Sequence, residues 1–265
     1  MSAPVTDPAD ELAGIIAEIE AGIATAEATV RAVAAGVSTV LDQLPGWAAD
    51  GVRVALADMQ RTFDEKVAEL RGWIAYRGDP AALRRYGAVW ANEIGAAASR
   101  AGAFATFNGV AADDRWSGVA ADAYRFTLPA QKDATTAIKA AGDEIGAAFE
   151  ELANAIASFW VAIGVAVAGL VVAIVSAAVS APTVVGAPIG IGLVAAGLTA
   201  FATAGTFAWT ALTDITNESA ARSAEIERRL SNDTAFPGGV WPRSTTPISG
   251  DGSITDGDDT DWHVK

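Results

Sequence analysis

Few residues in this chain could do chemistry, and their placement argues against catalysis. The single histidine, His263, is third from the end, and there is no cysteine. Without a second His or any Cys, one chain can assemble neither a Ser-His-Asp triad nor a His- or thiolate-ligated metal site. Asp113 and Asp114 are adjacent carboxylates, but no second acidic pair stands at a fixed spacing from them, and a solvated loop accounts for them. Asp251, Asp256, Asp258, Asp259 and Asp261 lack the ligand spacing and the terminal Glu between two helices that a calcium loop requires. The glycines at 186, 190 and 192 follow no strand and have no Lys of a phosphate-binding loop beside them. The expectation is therefore a non-enzymatic protein with no catalytic residue, no cofactor and no metal.

The elements around these residues are helical. Thr6-Asp7-Pro8, with Asp10 and Glu11 behind it, is a helix start: a capping side chain, Pro in the first turn and acids at the positive end of the dipole. Leu12, Ile16, Ile19, Ile23, Ala26, Val30, Val33, Val37, Val40 and Leu44 then recur at alternating steps of four and three, a heptad seam that predicts one helix over 7–44. Pro45-Gly46 ends it. A second stripe of Val52, Leu56, Met59, Phe63, Val67, Leu70 and Ile74 predicts a helix ending near Tyr76-Arg77-Gly78. Asp79-Pro80 opens a third, with an expected apolar stripe of Leu83, Tyr86, Trp90, Ile94, Ala97, Ala101 and Phe104. After a loop at 108–118, a fourth helix is expected to bend at Pro129 and to carry Ala134, Ile138, Ala141, Ile145, Leu152 and Ile156 on its seam.

From Leu152 to Thr213, 62 residues pass without a charge. Pro182, Gly186, Pro188, Gly190 and Gly192 divide this tract into two legs, about 153–181 and 189–213, each longer than the ~20 apolar residues that cross a bilayer. Phe159 and Trp160 open the first leg, while Phe207 and Trp209 close the second. Folded as a hairpin, the four aromatics fall at one level, ~30 Å from the turn, where a membrane boundary favours Trp. They are the membrane-interface candidates. A charged helix returns at 214–230, and the Gly-, Pro-, Ser-, Thr- and Asp-rich tail from 231 is expected to be disordered.

Trp116-Ser117-Gly118, followed by Ala120-Ala121-Asp122-Ala123-Tyr124, sits between two helical segments. Helix, W-x-G turn and a helix opening on small residues together resemble the W-x-G helical-hairpin family exported by type VII secretion systems. The resemblance covers roughly residues 80–158 and makes Trp116 and Gly118 the family-motif residues: it implies that Gly118 supplies the tight backbone and Trp116 packs at the bundle end. The family's secretion signal, an aromatic followed four residues later by an acid, is missing at Tyr124, Tyr76 and Tyr86, where Leu128, Pro80 and Trp90 stand at that spacing.

The whole reads as all-α, an elongated antiparallel helical bundle with a central hydrophobic helical hairpin. Its segments are an N-terminal helical hairpin (1–78), a W-x-G-like hairpin (79–158), the hydrophobic hairpin (159–213), a return helix (214–230) and an acidic tail (231–265). A formal net charge of −14 with only 18 basic residues excludes nucleic acid as a partner. Membrane lipid, and a helical partner chain or further copies of itself, are the expected partners. Residues 1–10 have no basic and apolar signal regions, so export is expected without a signal peptide, and the protein is expected to be secreted or associated with the cell envelope. The leading function is a type VII-secretion-associated helical protein acting by assembly or membrane contact. The alternatives are an α-helical pore-forming protein and a resident two-span membrane protein, for which Lys132, Lys139, Arg222, Arg228 and Arg229 would place both termini in the cytoplasm.

Overall fold

A computed structural model describes residues 8–106, 116–117, 119–231, 234–243 and 263–264. The fold is an all-α helical bundle. Its helices are α1 (Pro8–Leu41), α2 (Gly46–Ala75), α3 (Pro80–Ala88), α4 (Ala96–Phe104), α5 (Val119–Ser180) and α6 (Gly186–Leu230), with a π-helical stretch, Val89–Gly95, joining α3 to α4. Two-residue strands at Trp116–Ser117 (β1) and His263–Val264 (β2) pair antiparallel. The chain forms two compact units: residues 1–81 with 152–216, and residues 82–151 with 217–265. Helices α5 and α6 each contribute to both. The apolar hairpin therefore shares a unit with the N-terminal helices, and α5 is one helix through Pro129 and past residue 158.

In the first unit the heptad seam of α1 is the spine of the core. All of its residues from Leu12 to Val40 are buried, and Val33 and Val37 completely so. They meet Leu56, Met59, Phe63, Val67 and Leu70 of α2, and one side of each apolar leg: Ile163, Val167, Leu170 and Ile174 from α5, Val194, Leu198 and Phe201 from α6. The loop 181–185 turns the chain, with Thr183 starting α6. Its hydroxyl oxygen accepts from the Gly186 N–H at 2.9 Å, and its carbonyl accepts from the Ala187 N–H at 2.8 Å. Pro182 packs against α1, its ring carbon 3.4 Å from where a Cβ on Gly36 would lie.

The second unit is joined through small residues. The expected stripe of α3, the π segment and α4 is turned outward: Tyr86, Trp90, Ile94 and Phe104 are exposed, as are Ala97 and Ala101. The buried positions are instead Gly87, Gly95, Ala98 and Gly102. Gly87, Gly95 and Gly102 lie against Gly146, Gly142 and Thr135 of α5, respectively. A Cβ on Gly142 would stand 2.8 Å from the Trp90 carbonyl oxygen, and one on Gly87 would stand 2.9 Å from that of Gly146. Backbones approach this closely only where side chains are missing. The π segment adds a residue to the turn, so the stripe counted at ordinary helical spacing does not continue on one face. Ion pairs close the second unit between α5 and α6: Glu151 with Arg222 at 2.7 Å, and Glu144 with Arg229.

Candidate functional site

The hairpin legs have two sides with different fates. Their inner side is core. Their outer side remains uncovered: Val161, Val165, Val172, Val175 and Val179 of α5 are exposed, Val179 by 81%. So are Val185 in the turn, and Ile189 and Phe207 of α6. Both α5 and α6 are long and apolar enough to cross a membrane. Only 28% and 39% of their most apolar windows are buried, whereas a helix kept apolar solely to fill a soluble core is mostly buried.

The four aromatic candidates split. Phe159 and Trp160 are interior, at 5% and 2% exposure. The Trp160 indole N–H donates to the Arg77 carbonyl at 2.9 Å, so it anchors the segment just past α2 instead of facing a boundary. Phe207 and Trp209 lie outside. Trp209 stacks on Trp73 of α2, ring centroids 6.2 Å apart and planes 15° apart, and Phe159 meets both rings edge-on. A cavity of about 200 Å³ opens beside this cluster, lined by Lys66, Glu69, Trp73, Gly205 and Trp209. Phe159, Trp160 and Trp209 come together with Trp73. What spacing could not reveal is which ring turns inward, since that depends on where the Arg77 carbonyl, beyond the end of α2, points.

Trp116 of the family motif contributes its backbone to the β1–β2 pair opposite Val264, and Ser117 lies opposite His263. Gly118, Asp113, Asp114 and the acidic residues from Asp251 to Asp261 lie outside the described residues. Among the described residues no group of three or more His, Asp or Glu is placed to hold a metal.

One polar feature went unread in the sequence. Thr199, Thr203, Thr206, Thr210 and Thr213 of α6 are all exposed and, at about 100° per residue, share an arc of about 80°. Each hydroxyl donates to the carbonyl four residues earlier at 2.9 Å. The signal was the four-and-three spacing of Thr inside a tract notable only for having no charge. In the second unit, the hydrogen bonds that Arg222 donates to Glu151 and Glu218 raise its pKa, those that Arg229 donates to Glu225 and then Glu144 raise its own, and those from Arg228 and Arg229 lower that of Glu225.

The class these features define is an all-α bundle with an uncovered apolar hairpin. Comparison with protein-family models, curated proteins and solved structures finds no match.

Proposed function

We propose that this protein is non-enzymatic and acts by membrane contact, with the 159–213 hairpin as the element that meets the bilayer. The observation that carries this reading is the outward valine face of α5, five exposed branched aliphatics on a leg without a charge. Such a face gains nothing in water, and Val179, 81% exposed, gains ~1.5 kcal/mol on burial in hydrocarbon, with the half-exposed Val161 and Val175 gaining proportionately less. Phe207 and Trp209 lie at the end of the second leg, where they would enter the headgroup region. Phe159 and Trp160 would join them only after the bundle opens. The resemblance of the Trp116-Ser117-Gly118 motif to the W-x-G family supports a type VII secretion setting for this activity, with the protein exported or envelope-associated and assembling with a helical partner or with copies of itself.

Val172→Asp tests the membrane reading. The side chain is 67% exposed, so in water the substitution leaves folding within about 0.5 kcal/mol of the parent. An acid at bilayer mid-depth costs about 2.5–3.5 kcal/mol, a drop of roughly two orders of magnitude in partitioning. Flotation with phosphatidylcholine vesicles measures it. Equal flotation of parent and variant would sink the proposal. Fractionation of cells tests the setting: recovery from the medium supports export, and a carbonate-resistant membrane pellet supports the resident two-span alternative.

A further inference from the structure

The two legs turn outward faces of the same shape and different polarity. On α5 an arc of about 80° carries Val161, Val165, Val172, Val175 and Val179; on α6 an arc of the same width carries Thr199, Thr203, Thr206, Thr210 and Thr213. Valine and threonine are nearly isosteric, so packing does not account for the division. Polarity does. A face meant for acyl chains has no use for five hydroxyls, and a face meant only for bulk water has no use for five valines.

We propose that in the membrane the α6 threonine face lines a water-filled conduit shared between copies of this chain, while the α5 valine face meets lipid. This rests on the membrane reading above and adds to it which leg faces which medium. Three features of the threonine face fit the assignment. Each hydroxyl proton is already committed to its own helix, which leaves the oxygen lone pairs free to accept from water and leaves no donor stranded at membrane depth. The line from Thr199 to Thr213 is ~21 Å long, and Gly192 and Ala195, on the same arc, extend it to ~32 Å, the depth of a hydrocarbon core. In the folded bundle the Thr199, Thr203 and Thr206 part of this face borders an open groove of about 570 Å³, to which α2 brings Asp58, Thr62 and Lys66 as well as Ala55 and Met59. A lumen so lined has hydroxyls and no charge. It would pass small neutral solutes with little preference between ions.

The absence of cysteine makes a direct test possible. Single variants Thr206→Cys and Val172→Cys, both at exposed positions, should react equally with a membrane-impermeant maleimide in solution. The net charge of −14 opposes anionic lipid, so the vesicles are phosphatidylcholine. Once bound, Thr206→Cys should keep its rate while Val172→Cys slows by about tenfold or more, because the reactive thiolate is disfavoured in hydrocarbon. A triple Thr199→Val, Thr203→Val, Thr206→Val variant should float like the parent and lose most of its release of a neutral entrapped dye, since an apolar lining dewets. If both cysteines become equally protected on bound vesicles, the threonine face lies in lipid or in a dry contact between copies, and the conduit is overturned while the membrane reading stands. If the parent does not bind vesicles, both fall together.

Discussion

The two compact units solve helix packing in opposite ways. The first interlocks large side chains: the α1 seam, the α2 stripe and the inner sides of the legs bury Ile, Val, Leu, Phe and Trp. The second brings backbones together at glycine and leaves its own large residues, Tyr86, Trp90, Ile94 and Phe104, on the outside. A seam of large side chains gains stability from area removed from water and tolerates small trimming. A glycine seam gains it from close van der Waals approach and tolerates no addition. The first unit should therefore fail by cavities and the second by crowding.

The largest effect should follow truncation in the first unit. Trp160→Ala removes a buried ring and strands the Arg77 carbonyl, and is expected to cost about 3–5 kcal/mol, seen as a fall in Tm and in the denaturant midpoint. Phe207→Ala, at 73% exposure, should leave both within error. If the two truncations cost the same, Trp160 is not the core residue described. Crowding comes next. Gly142→Val should destabilise by about 1–3 kcal/mol because its Cβ has no room beside the Trp90 carbonyl. Gly169→Ala, with nothing within 4 Å of the new methyl, should instead stabilise by about 0.5–1 kcal/mol through helix propensity. Denaturant unfolding of the pair reads the difference in sign, and a stabilising Gly142→Val would refute the close seam.

The smallest effect is electrostatic and belongs to the second unit. Glu225 has its pKa held below the ordinary 4.5 by hydrogen bonds from Arg228 and Arg229. A lowered carboxylate pKa contributes stability that is fully present above 4.5 and is lost as the pH falls through the folded value. Acidifying below pH 4.5 should shift the Glu225→Gln variant less than the parent. These side chains are solvent-exposed, so the contribution is slight and is screened by salt.

The same contrast decides what could be read from the sequence. A core of large residues writes itself as periodicity, and the α1 seam from Leu12 to Val40 was legible residue by residue, as was the α2 stripe from Leu56 to Leu70. A glycine seam writes itself as missing side chains. The same counting rule therefore picked Tyr86, Trp90 and Ile94 over Gly87, Gly95 and Gly102, and the π segment between them removed any single face to count along. The hairpin was legible as a charge-free tract, but its two outward faces were not, because Val and Thr differ less in a search for charges than they do in water. The inward turn of Trp160 depends on a carbonyl 83 residues earlier in the chain, a distance over which local pattern is silent.

The stacked indoles of Trp73 and Trp209 give the molecule an optical signature of its own state. Two near-parallel rings with centroids 6.2 Å apart couple their electronic transitions, and a coupled pair in a chiral setting produces a circular-dichroism couplet that isolated indoles lack. One ring belongs to α2 and the other to the second apolar leg, so the couplet exists only while that leg rests on its bundle. Departure of the hairpin would extinguish it at once, without any added label.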